Sequence, residues 1–148
     1  TTELGVAGFI PVSSQRSEVR LDGERAGKRV AHWRQVVISA CEQSGRARIP
    51  SVAEPRPLLT AATDLDTAAH PLRLVLDPEG DLALGDLALN ADTAIALAIG
   101  PEGGFDRVEI DQLQRLGWRR LRLGGRILRT ETAGIAAIAA LLALTGEL

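Results

Sequence analysis

The sequence is short of the residues that staple, stack or coordinate. Cys41 is its only cysteine, so no internal disulfide and no cysteine-based zinc cluster can form, and a reducing, cytoplasmic setting is expected. Tyrosine is absent, and the aromatic residues are Phe9, Trp33, Phe105 and Trp118. The core must therefore be aliphatic, and a sheet face of stacked rings that grips single-stranded RNA is largely unavailable. His32 and His70 lie far apart and lack metal-ligand spacing, so no metal is expected. No run of about eighteen apolar residues occurs, and no membrane partner is expected. The tail from Gly134 to Leu144 is strongly apolar but too short to span a bilayer, which points to burial in the core or against a second subunit. Methionine is also missing and the first residue is Thr1, so a piece of a longer chain is expected.

What is present suits one globular domain: 148 residues, 45% hydrophobic and 24% charged. The net charge of −2 hides a segregation. Residues 1–53 carry +3, residues 54–111 carry −9, and residues 112–148 carry +4. Every cation except Lys28 is arginine, whose planar fork suits phosphate. The two ends could attract RNA while the middle repels it; a solvated surface with ordinary ion pairs is the alternative.

Apolar periodicity gives the elements. Val6 to Val12 reads as a short buried strand ended by Pro11 and the Ser13-Ser14 turn, and Arg16 to Leu21 as extended. Val30, Trp33, Val37, Ile38 and Cys41 recur at helical spacing, predicting a helix from about Glu24 to Ser44 closed by Gly45. A short strand follows through Pro50. Pro55 to Thr67 is a loop with one short helix. Leu72 to Asp77 and Thr93 to Ile99 are buried strands, separated by an acidic, irregular stretch from Asp81 to Asp92. Asp106 and Glu109 form a capping box for a helix ended by Gly117. Arg119 to Leu123 is a further strand, and Thr130 is expected to cap a last helix running to about Thr145. Strands that are continuous apolar runs alternating with helices predict an α/β fold, a parallel sheet covered on both faces.

Two glycine-bearing segments, I99-G-P-E-G-G104 and L123-G-G-R-I-L-R-T-E-T-A133, each leave the carboxyl end of a predicted parallel strand, where open α/β sheets bind ligands. Neither is a P-loop or a dinucleotide fingerprint, and tight turns alone would explain either loop by itself.

Together, Ile99–Phe105 and Leu123–Ala133 resemble the SPOUT methyltransferases and, within them, the family of ribosomal RNA small-subunit methyltransferase E (RsmE). Thr2-Glu3-Leu4-Gly5-Val6, Glu42-Gln43-Ser44-Gly45-Arg46 and Pro50 agree with it, so the likeness covers nearly the whole chain in order. It implies a SPOUT-type parallel sheet with helices on both faces and a deep C-terminal trefoil knot, against the general rule that chains are unknotted. It implies that residues 1–148 are a methyltransferase domain lacking its first strand and helix, and lacking the PUA-like barrel with which family members begin. The implied activity is transfer of a methyl group from S-adenosylmethionine (AdoMet) to N3 of a uridine in 16S, small-subunit, ribosomal RNA. The cofactor pocket carried over by the resemblance is Leu76, Gly100, Pro101, Gly103, Leu123, Gly124, Ile127, Leu128, Arg129 and Thr132. A side chain at Gly103 is expected to fill space meant for the ligand.

Methylating N3 removes a proton, so a base or a stabiliser of the uracil anion is needed. Glu102 and Glu131 are the carboxylates nearest the two loops. Glu102 is either a base or an acceptor of loop hydrogen bonds. Glu131 is either a base or a helix-start carboxylate kept charged by the dipole. Arg129 is the candidate to stabilise uracil charge or hold a phosphate, with pairing to Glu131 or Glu102 as its alternative; Arg126 is a weaker candidate. Arg16, Arg20, Arg46 and Arg48 are candidate RNA-backbone contacts or ordinary surface residues. The last helix, apolar almost all round and rich in alanine, is expected either to be buried within one subunit or to form the homodimer interface that the family uses. A SPOUT enzyme acting on another RNA position, and a non-catalytic RNA-binding and dimerisation fragment, are the competing functions.

Overall fold

The computed structural model describes residues 1–17, 23–65, 69–70 and 72–148. Its elements in chain order are β1 (Gly8–Phe9), β2 (Val12–Ser13), α1 (Gly23–Ser44), β3 (Ser51–Val52), β4 (Arg56–Pro57), α2 (Leu58–Asp64), β5 (Leu72–Leu76), β6 (Leu82–Ala83), β7 (Ile95–Ala98), α3 (Arg107–Arg115), β8 (Arg119–Arg122) and α4 (Thr130–Thr145). A single 3-10 turn, Leu84–Asp86, follows β6.

Every strand pair is parallel. The central sheet has the order β6-β8-β5-β7, and two smaller pairs, β1-β3 and β2-β4, stand beside it. Parallel strands need crossover connections: α1 lies between β1 and β3 and between β2 and β4, α3 precedes β8, and residues 77–94, which hold β6 and the 3-10 turn, join β5 to β7. Side-chain alternation along β5 then assigns the faces. Leu74, fully buried, meets Leu82, Leu121 and Leu141 on the side covered by α4. Val75, the next residue, meets Leu58, Ala62, Phe105, Ile110, Leu113 and Trp118 on the side covered by α2 and α3. The α/β sheet with both faces covered is therefore present. A third cluster joins Val30, Val37 and Cys41 of α1 to Val52 of β3, with Phe9 and Trp33 against it.

Several boundaries differ from expectation. Val6–Val12 is not one buried strand ended by Pro11. It is the two short pieces β1 and β2, with Ile10 between them 43% exposed. Pro11 has no N–H to give, yet its carbonyl accepts from Arg56 N at 3.2 Å, so the pairing resumes past it. β4 occupies a stretch read as loop, because Pro55 and Pro57 disguise an extended segment. The Asp81–Asp92 stretch holds β6, whose two residues are too few to show a period. Part of the extended segment expected at Arg16–Leu21 lies outside the described residues. Among those described, no helix is long and apolar enough to cross a membrane.

Leu121 is fully buried at the contact of β8 with β5, β6 and α4. Leu121→Ala is expected to lower unfolding free energy by about 2–5 kcal/mol, read from denaturant midpoints at unchanged m-value.

Candidate ligand site at the carboxyl edge

Because β5, β7 and β8 run parallel, the segments that follow them all leave the same edge of the sheet. The segment after β7 turns tightly: Gly104 N donates to Pro101 O at 2.8 Å, and Gly104 has φ +67°. A Cβ on Gly100 would sit 3.0 Å from Phe105 N and 3.1 Å from Gly104 C, so the turn closes on glycine there. Phe105, buried, anchors the exit. Asp106 then caps α3 by accepting from Val108 N at 2.8 Å, while Glu109 Oε2 accepts from Asp106 N at 2.9 Å, completing the expected capping box.

A clasp from the N-terminal part of the chain holds this loop from outside. Arg16 Nη1 donates to Gly103 O at 2.7 Å, and its Nη2 lies 3.7 Å from Asp106 Oδ2. Gln15 N donates to the second oxygen of the buried Glu109 at 2.9 Å. The Ser14–Ser17 turn is thus fixed to the glycine loop although about ninety residues separate them.

The segment after β8 comes back onto the same loop. Gly124 has φ +91°, and the chain then runs through Ile127, 85% exposed, to Arg129 at the N-cap of α4. Thr130 does not cap the helix, contrary to expectation. Arg129 occupies the cap position without a side-chain bond, and Thr130 Oγ1 donates instead to Gly100 O at 3.0 Å. One turn further on, a Cβ at Gly134 would stand 2.9 Å from Ile99 Cδ1, so α4 packs against the residue that opens the first loop. Leu76, in register with Leu121, ends the neighbouring strand. The chain after it is latched by Arg120, whose Nε donates to Asp77 Oδ2 at 2.8 Å and whose Nη2 donates to Glu79 O at 2.8 Å.

The structure brings Leu76, Gly100, Pro101, Gly103, Leu123, Gly124, Ile127, Leu128, Arg129 and Thr132 to one edge. Glu102 and Glu131 are exposed there, and neither makes a hydrogen bond or ion pair among the described residues. Arg129 and Arg126 are likewise exposed, and Arg129 pairs with neither carboxylate. The glycine that the backbone demands is Gly100 rather than Gly103, where a Cβ would make only ordinary contact, 3.5 Å from Arg16 Cδ. Arg46 is half-buried and donates to the carbonyls of Thr2 and Val6 at 2.6 and 3.0 Å, closing the N-terminal turn. Arg48 is exposed; Arg20 lies outside the described residues. Four participants went unread in the sequence as members of this edge: the clasp carboxylate Glu109, the latch pair Asp77 and Arg120, and the bridging hydroxyl of Thr130. Their partners are distant in sequence, so spacing carries no signal for them.

These features define an α/β protein in which two glycine-bearing segments converge outside the carboxyl ends of a parallel sheet. The chain belongs to the family whose model is described as RNA methyltransferase domain, which matches residues 1–142. The ribosomal RNA small subunit methyltransferase E of Mycobacterium bovis is 37% identical over 99% of this chain and 56% of its own length. A crystal structure of the same enzyme from Neisseria gonorrhoeae, bound to S-adenosyl methionine, is 40% identical with TM-score 0.86, covering 97% of this chain and 57% of that one. A Legionella pneumophila structure in complex with bound cofactor SAM is 38% identical with TM-score 0.91, covering 97% and 58%. The chain spans 56–59% of the length of the first three curated relatives it matches.

Thr130→Val keeps the shape and removes the bridge to Gly100. It is expected to cost about 1 kcal/mol of stability and to speed amide hydrogen exchange in residues 100–104 selectively.

Proposed function

We propose that this chain is the methyl-transferring domain of an RsmE-type enzyme, which moves a methyl group from AdoMet to N3 of a uridine in small-subunit ribosomal RNA. The observation that carries the proposal is the Thr130–Gly100 hydrogen bond, which ties the segment after β8 to the glycine loop after β7 at one edge of the sheet. The open space beside Gly124 and Gly125 and the exposed apolar side chain of Ile127 fit an adenosyl group. In this reading Leu76, Gly100, Pro101, Gly103, Leu123, Gly124, Ile127, Leu128, Arg129 and Thr132 hold the cofactor, backbone groups of Leu123 and Leu128 read the adenine edge, and the segment from Leu123 onward forms the trefoil knot. The sulfonium supplies an activated methyl group.

The chain's own residues handle the charge and the proton. Arg129 stabilises the negative charge that develops on the uracil oxygens as N3 loses its proton. Glu102 accepts that proton: it is exposed beside the glycine loop, and no hydrogen bond occupies its carboxylate among the described residues. Arg126 adds positive charge for the RNA backbone.

α4 is buried along one stripe only, Gly134, Ala137 and Leu141, while Ile135 and Leu144 are 52% and 45% exposed. An apolar helix left open in this way favours a homodimer built through α4 over burial inside one subunit.

Titration calorimetry with AdoMet and nucleoside analysis of treated ribosomal RNA test the assignment. Arg129→Ala and Glu102→Gln are each expected to slow methyl transfer by about 10²-fold or more while AdoMet affinity changes far less. Absence of AdoMet binding at millimolar ligand sinks the enzyme reading. Ile135→Asp is expected to convert a dimer to a monomer in sedimentation; an unchanged mass refutes the interface.

A further inference from the structure

Between Glu24 and Glu42, α1 contains no carboxylate but carries Arg25, Lys28, Arg29, His32 and Arg34. At about 100° per residue, Arg25, Lys28, Arg29 and His32 project within one sector, opposite the buried Val30, Val37 and Cys41. All four are exposed. Glu24, in the first turn, is answered by Lys28 at 2.7 Å, and Arg34, on another side, is answered by Glu54. Among the described residues Arg25 and Arg29 have no ion-pair partner, so these two guanidinium groups carry the unpaired positive charge of the stripe. It also stands near the site. The Ser14–Ser17 turn touches the glycine loop through Arg16 and α3 through Gln15, and six residue steps lead from Ser17 to the start of α1, a reach of no more than about 22 Å.

We infer that this stripe, led by Arg25 and Arg29, is the surface along which the phosphate backbone of the RNA runs as it approaches the cleft. The inference rests on the RNA-methylating reading above and extends it to a surface which that reading leaves unassigned. The two guanidinium groups are one helical turn apart, about 6 Å along the axis, and can take neighbouring phosphates. The strongly acidic stretch of residues 54–111 repels the same backbone, so the charge pattern directs it toward α1.

The test is binding of a single-stranded fragment of small-subunit ribosomal RNA to the AdoMet-loaded chain across a range of potassium chloride. The R25Q/R29Q variant is compared with a charge-matched control, R107Q/R115Q, on exposed positions of α3. Two lost phosphate contacts predict a fall of about 1.4 in the magnitude of the salt slope and on the order of tenfold weaker binding near 0.1 M salt for R25Q/R29Q. The control is expected to keep the wild-type slope. An unchanged slope in R25Q/R29Q, an equal fall in both variants, or a parallel loss of AdoMet affinity in R25Q/R29Q overturns the inference. Failure of the wild-type chain to bind AdoMet strikes the proposed function instead, and calorimetry reads that separately.

Discussion

Parallel pairing is the constraint from which the rest of this molecule follows. A strand can lie parallel to its neighbour only if the chain returns to the starting edge between them, here through α1 and α3 and, from β5 to β7, through the stretch that holds β6. The opposite edge then collects every strand exit. Two loops that are twenty residues apart in sequence become neighbours because β7 and β8 flank β5 in the same direction. The hydroxyl of Thr130 and the contact of Gly134 with Ile99 act on loops that topology has already brought together.

The forces that hold the scaffold and those that hold the site differ in kind. Leu74, Leu121, Leu113 and Val75 are fully buried hydrocarbon, and burial of each side chain contributes about 1.5–3 kcal/mol. The carboxyl edge is held by directed polar contacts instead: Arg16 on Gly103 O, Glu109 on two backbone N–H groups, Arg120 on Asp77 and on Glu79 O. Each contributes less than a buried leucine, but a hydrogen bond fixes direction where hydrocarbon packing fixes only proximity. Division of labour between the two leaves the side chains of Ile127, Arg129 and Glu102 free of internal partners and available to a ligand.

Much of this was legible in the sequence, for identifiable reasons. The helix over Gly23–Ser44 and the strands β5, β7 and β8 show because burial imposes a period or a continuous apolar run long enough to count. The capping box at Asp106 and Glu109 shows because its partners are three residues apart. β4 and β6 escape because two-residue pieces carry no period, and Pro55 and Pro57 argue against a strand on local grounds. The glycine loops could be located from composition alone, but their convergence could not. It depends on strand order, and only the resemblance to the RsmE family pointed to it. The role of Thr130 has a similar cause: local rules favour a threonine as a cap, whereas its hydroxyl donates to the carbonyl of Gly100, thirty residues back.

The position of β8 within the sheet has a consequence for the order in which the molecule is made. Residues 119–122 lie between β6 and β5, although they follow both in sequence and leave the ribosome after them. Until they emerge, β6 has no neighbour and one side of β5 stays unpaired. With synthesis proceeding at about 5–20 residues per second, a nascent chain spends on the order of seconds with these apolar edges uncovered. An unpaired parallel strand is a template for foreign pairing, so capture of the nascent chain by a chaperone during that interval would protect it until its own partner arrives.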